Sequence, residues 1–213
     1  MSINNNDLMK IIIRLFKINK RIYKSVSLFF EQIVSYILLR LNGVTIGSGL
    51  KSRGIPSVDV SLGGEFSIGN NFDMNNGTKY NKIGRQQKCF FIVREKGCLV
   101  IGNNVGISST AIICDKHIQI GDFVKIGGNV VIYDTDFHAL DSDLRNEKQA
   151  DYNNTNQEAV IIESNVFIGA HSTILKGVRI GENSIIGACS VVTKSIPRNE
   201  IWGGNPAKFI RSI

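Results

Sequence analysis

From Ile162 onward the chain repeats itself every six residues, with Ile162, Ile168, Ile174, Ile180, Ile186 and Val192 forming an unbroken aliphatic series. With about a quarter of positions taken as Ile, Leu or Val, five further matches arise by chance roughly once in a thousand trials, so the period is a real repeat. A companion position four residues after each aliphatic holds Val166, Ser172, Val178, Ser184 and Ser190. Earlier runs share the phase in Ile101, Ile107 and Ile113 and in Ile120, Ile126 and Ile132, and weaker coils begin at Ile46 and Ile68. Glycine often follows the aliphatic, and Gly69, Gly102, Gly121 and Gly181 are in turn followed by Asn70, Asn103, Asp122 and Glu182, which suit solvated corners. Each unit therefore reads as one flat face of a triangular coil, with the aliphatic inward and glycine easing the corner. Three units close a coil of about 18 residues, and stacked coils form a parallel β-helix. The 21 glycines against 3 prolines fit such short strands and tight corners.

A stack of coils needs a cap at each end. From Leu8 to Leu41 apolar residues recur at steps of three and four, which predicts one or two amphipathic helices over residues 1–42, dividing near Lys17 to Lys20 and stopping at Asn42-Gly43. Residues 43–213 then form the β-helix domain, with residues 196–213, which leave the repeat, as its second cap. Of the net charge of +7, residues 1–50 carry +5, from seven basic residues against Asp7 and Glu31. A basic amphipathic arm suits an anionic membrane surface, the first coils or a neighbouring subunit; with no RNA-binding or Arg-rich signature, nucleic acid is not expected. The start lacks a cleavable leader pattern and charges interrupt each apolar run, so a cytoplasmic location is expected, with peripheral contact at the inner face of the membrane as an option. Cys89, Cys98, Cys114 and Cys189 are widely spaced and form no metal-ligand cluster with histidine, so neither a disulfide framework nor a metal site is expected.

Between Ile132 and Ile162 the repeat is broken by a polar stretch, about residues 134–160, too irregular for coil faces and expected to leave the β-helix as an extended loop. It carries Asp134, Asp136, His138 and Arg145. The outward side chains Ile112, Val131 and Leu175 would stay partly wet on a lone prism, which predicts association of copies.

The pattern resembles the hexapeptide-repeat transferases over residues 44–213. Residues 160–211, with IGAHSTILKGVRIGENSIIGACSVVTKSIP and WGGNPAKFIR, are similar to the maltose, galactoside and xenobiotic acetyltransferases and their relatives in surface-polysaccharide synthesis. The resemblance implies an all-β fold, a left-handed parallel β-helix, assembled as a homotrimer with active sites between neighbouring subunits. It also implies acetyl-CoA as acyl donor, with no metal, and a saccharide hydroxyl of an envelope polysaccharide precursor, free or lipid-linked, as acceptor. In that resemblance His138 is the general base and Arg145 a substrate-binding residue in the same loop. Asp136 either orients the imidazole or binds the acceptor, and as a turn residue it has a structural alternative. Ala170 and Ala188 fall where backbone meets the pantetheine arm, Thr193 and Lys194 where the nucleotide end begins, and Lys208 and Arg211 near its 3′-phosphate. Phe167 replaces a tryptophan common in relatives and keeps that groove aromatic. The chemistry is coherent, because neutral imidazole takes the hydroxyl proton as the oxygen attacks a thioester.

Periodicity alone equally allows nucleotidyltransferases, acyl-carrier-protein-dependent transferases and γ-class carbonic anhydrases. Of the three histidines, His117 is expected on an exposed bulge, since Ile113 to Ile120 is a step of seven, and His171 on a coil corner, where it is the next candidate base. The metal-binding triad of a carbonic anhydrase is not found among them. Two alternatives stand beside O-acetylation: N-acetylation of an amino sugar, and a non-catalytic trimeric scaffold.

Overall fold

The computed structural model describes residues 5–81, 83 and 87–213. Among the described residues, three sheets of six, eight and six strands, parallel except for the last strand of the second, wrap a single core, and successive coil strands fall on successive sheets. In the upper coils Ile162 pairs with Ile180, Ile168 with Ile186 and Ile174 with Val192, partners whose numbers differ by 18. Val160, Val166, Val178 and the whole aliphatic series are buried, as are Ser172, Ser184 and Ser190. Those serines are tolerated inside because each hydroxyl reaches a carbonyl, Ser172 and Ser190 at Gly187 O (3.0 and 2.6 Å) and Ser184 at Pro197 O (2.7 Å).

The corner glycines work differently from expectation. The left-handed turn at the corners falls on Asn71, Asn104, Asn165 and Asn183, and Gly121 is not among the positive-φ residues. Glycine is needed for close approach: a Cβ on Gly121 would stand 2.7 Å from the Ser164 nitrogen of the coil above. Corner side chains add a ladder, in which the Asn70 N–H donates to Asn103 Oδ1 (2.9 Å) and the Asn103 N–H to Asp122 Oδ1 (2.6 Å).

In the coil that includes residues 106–114 the six-residue phase slips. Ser109, at φ 47°, turns the chain two residues after Ile107, whereas Asn104 does so three residues after Ile101. Ile112 consequently faces the core and Ile113 faces outward, the reverse of expectation, while Val131 and Leu175 do lie partly exposed. The extra residue thus precedes His117, which opens the strand His117–Ile120 rather than forming a bulge.

Residues Asn5–Leu41 form a single helix, α1, unbroken at Lys17 to Lys20, where no glycine or proline interrupts the backbone. It ends at Gly43, at φ 77°, as the Val44 N–H reaches back to Leu39 O (3.1 Å). Only its C-terminal half caps the first coil: Gln32 bridges Leu50 O (2.7 Å) and the Ser52 N–H (2.6 Å), the Gly54 N–H donates to Glu31 (3.0 Å), and Leu39 is fully buried. Contrary to the expectation that charges break every apolar run, α1 is long and apolar enough to cross a membrane by length and composition. A short helix α2 (Gly77–Tyr80) lies beside it, with Lys79 Nζ on Glu31 at 2.8 Å. Burial by itself raises the Glu31 carboxyl, but hydrogen bonds from Lys79, Ser27 and Gly54 outweigh it and bring its pKa down to about 2; the same bond to Glu31 raises Lys79 to about 12. At the other end Glu200–Gly203 adds to the second sheet and pairs antiparallel with Lys208–Ser212, which closes the stack.

Candidate active site

The excursion leaves the third sheet after Tyr133 and rejoins the first sheet at Val160. Its root is fixed by the fully buried Asp134, whose carboxylate accepts the N–H groups of Asp115, Lys116 and His117 at 2.7, 2.9 and 2.7 Å. A stem follows, made by the Thr135–Gln157 bridge and the Asp136 N–H on Asn156 O (3.0 Å). Beyond it the chain is not the extended loop expected. It folds into α3 (Ser142–Arg145) and α4 (Lys148–Asn154), whose free N–H groups are capped by Asp141 and Glu147.

These two helices position His138. Its Nδ1 lies 2.8 Å from Asp151 Oδ2, and the other oxygen of Asp151 accepts the Ala139 N–H at 2.6 Å. A carboxylate at Nδ1 places the ring proton there and leaves Nε2 as the basic nitrogen, a tautomer assigned from the hydrogen-bond network. The hydrogen bond from His138, then that from Ala139, holds the Asp151 carboxyl below the ordinary carboxylate range. The His138 side chain is 67% exposed, so Nε2 is open to an incoming molecule. Arg145 steadies the same turn, with Nη1 on the carbonyls of Ala139 (2.9 Å) and Leu140 (3.1 Å).

Asp151, not Asp136, lies against the His138 ring; Asp136 instead faces Lys176 Nζ at 3.4 Å. Asp151 carried no signal in the sequence, since twelve residues separate it from His138 and only the fold of α4 returns it. A second residue missed is Asp115. It lines a polar cleft of about 190 Å³ at the base of the excursion with Arg94, Tyr152, Asn153 and Gln157. Arg94 stands 3.3 Å from one carboxylate oxygen of Asp115, and the other is buried with no partner among the described residues. Burial raises the Asp115 carboxyl, with Arg94 opposing.

The residues expected to meet an acyl donor are spread over the prism. Ala170 and Ala188 stack on the edge between the second and third sheets, just below the corner residues His171 and Cys189, and the Cys189 N–H bonds to Ala170 O (2.9 Å). Phe167 stands on the neighbouring face of the second sheet, half exposed. Thr193 and Lys194 lie one face further on, on the edge where the excursion is rooted, and Lys208 and Arg211 are exposed on the last strand. One chain therefore brings Phe167, Ala170 and Ala188 together and keeps them a face away from the root of the His138 excursion.

Residues 159–194 match the bacterial transferase hexapeptide (six repeats) family. The match lies within the upper coils. It is 45% identical over 102 residues to a galactoside O-acetyltransferase of Lactococcus lactis, a match covering 48% of this chain and 46% of that relative. The chain spans about half the length of the curated relatives it matches. Among solved structures it resembles a galactoside acetyltransferase in complex with coenzyme A, with 27% identity, TM-score 0.56, and 92% of this chain and 81% of the other covered. It also resembles a point mutant of AntD, an N-acyltransferase from Bacillus cereus in complex with dTDP-4-amino-4,6-dideoxyglucose and coenzyme A, with 25% identity, TM-score 0.65, and 84% and 89% covered. The hand of the β-helix is the left-handed one of these transferases.

Proposed function

We propose that this protein is an acetyl-CoA-dependent O-acetyltransferase that acts on a saccharide hydroxyl of an envelope polysaccharide precursor. The observation that carries this reading is the His138–Asp151 pair on the excursion, with both carboxylate oxygens engaged and Nε2 free. As the acceptor oxygen attacks the thioester carbonyl, Nε2 takes its proton; the C–S bond then breaks, and the thiolate leaving group recovers that proton from the imidazolium. Asp151 holds the tautomer and stabilises the positive ring, and Arg145 serves as a positioning residue for the turn. Arg94 and Gln157 in the adjoining cleft offer polar contacts for a sugar hydroxyl, and Asp136 stands close enough in sequence to help orient the acceptor.

Acetyl-CoA is a polyanion at its nucleotide end, and the exposed cations Lys194, Lys208 and Arg211 suit it. Ala170 and Ala188 offer backbone for the pantetheine arm, Phe167 an aromatic wall, and Thr193 a hydroxyl near the nucleotide. Because His138 and the Ala170–Ala188 column stand on different edges of one prism, the excursion of one subunit completes the groove of its neighbour, which favours a trimer. The likeness to AntD supports N-acylation of an amino sugar as the second reading. A cytosolic protein resting on the inner membrane face suits a lipid-linked acceptor.

The test is thiol release from acetyl-CoA with a panel of hydroxyl sugars and amino sugars. Release with hydroxyl sugars is expected; release with amino sugars alone favours the second reading, and none with either leaves a non-catalytic scaffold.

A further inference from the structure

Helix α1 presents two opposite faces that change partners along its length. On one side Leu8, Leu15, Ile22, Phe29, Ile33 and Ile37 form an exposed apolar stripe that no part of the chain covers among the described residues. At 1.5 Å per residue the stripe from Leu8 to Ile37 is about 44 Å long. On the other side the C-terminal half docks on the first coil through Glu31, Gln32, Ser35 and Leu39. The same side of the N-terminal half carries Lys10, Arg14, Lys17, Lys20, Arg21 and Lys24, all exposed, with Asp7 as the one acidic residue.

We infer that α1 lies flat on an anionic lipid bilayer, with its apolar stripe in the headgroup boundary and its cations at the surface. A long helix with a wide apolar face and a Lys/Arg-rich polar face has the charge and shape for that position. Spanning is disfavoured by the docking. Residues 25–42, which hold two charges, are the apolar half, and this half is hydrogen-bonded to the first coil through Gln32 and Ser35. A bundle of α1 helices from several copies fits less well. Ile11, Phe16 and Ile18 widen the stripe beyond the two positions per heptad of a coiled-coil seam, and the six cations have only Asp7 in the same half to meet across a helix pair. The inference deepens the membrane-face location proposed for the enzyme but does not depend on the acetyl transfer.

The experiment is cosedimentation of the full chain, without acetyl-CoA or acceptor, with vesicles of phosphatidylcholine alone or with about a third phosphatidylglycerol. Strong association with the anionic vesicles is expected, weakening on the order of tenfold at high salt. The variant K17Q/K20Q/K24Q should lose roughly a hundredfold, at about fivefold per cation. The variant L15S/I22S should lose at least about tenfold at every salt concentration. Both should keep the wild-type melting temperature, since these side chains are exposed. Absence of association with anionic vesicles overturns the inference; efficient disulfide crosslinking of I22C between copies would then assign the stripe to a helix bundle. Loss of thiol release with vesicle binding intact would strike only the acetyltransferase reading.

Discussion

The upper coils and the excursion are contiguous in sequence and follow opposite rules. In residues 160–192 the inward positions are Val, Ile or Ser, the strands are two or three residues long, and nearly every side chain is explained by packing. In residues 134–159 few side chains are buried, the backbone is held by carboxylates at helix starts and at the root, and the one exposed histidine is braced by Asp151. On the proposed reading the coils provide stability and the excursion provides chemistry, so changes in the two should separate stability from turnover.

The widest separation is expected at His138. The variant H138A should lower turnover on the order of 10² to 10⁴-fold while the melting temperature stays nearly unchanged, because the side chain is solvated. D151N leaves the ring without its carboxylate and should lower turnover roughly 10- to 100-fold with similar affinity for acetyl-CoA. Steady-state kinetics and calorimetry on the same preparations check both. A large loss of stability in either variant would join the excursion to the core and dissolve the contrast.

The converse change is F91A. Phe91 is fully buried among Phe66 and Phe72, with ring centroids 5.3 and 6.4 Å away. Its truncation should destabilise by about 3–5 kcal/mol in a denaturant titration. In the fraction still folded, kcat should hardly change, since the residue is four coils below the Ala188 corner. A smaller effect is expected when K208A and R211A are combined. KM for acetyl-CoA should rise roughly three- to thirtyfold at low salt, with the difference shrinking as salt screens the wild-type attraction. An unchanged KM at low salt would remove these two cations from the donor site.

The smallest effect lies where α1 meets the coils. Glu31 has a folded pKa of about 2 against 4.5 for the free group, so its contribution is present above pH 4.5 and lost as the pH falls toward 2. The loss should be about 1–2 kcal/mol, the value of a charged hydrogen bond, discounted for the half-exposed Lys79. Hydrogen exchange at the Ser52 and Gly54 amides across that window, compared with E31Q, measures it. Equal acid sensitivity in the variant would place the titrating group elsewhere.

Much of this architecture was legible because a six-residue period has few structural solutions. Ile162 to Val192 gave the coil, its closure and the inward faces directly. The period could not show that Ser109 turns early and sends Ile112 inward, since a left-handed serine leaves no compositional mark. Nor could it separate the two uses of a small corner residue, turn for Asn104 and close approach for Gly121. His138 was legible as a candidate because it stands in the one long break of the repeat. Asp151 and Asp115 were not, because their meaning comes from contacts with residues 13 and 21 positions away, made only when α4 folds and the coils stack.

The most direct measurement is the chemical nature of the product. Wild-type protein is incubated with isotopically labelled acetyl-CoA and the acceptor sugar that gives the fastest thiol release, and the product is analysed by mass and linkage before and after mild alkali. The account predicts one added acetyl group on a hydroxyl, released by alkali as an ester is, and absent when H138A is used. An alkali-stable amide, or full product formation by H138A, would contradict it.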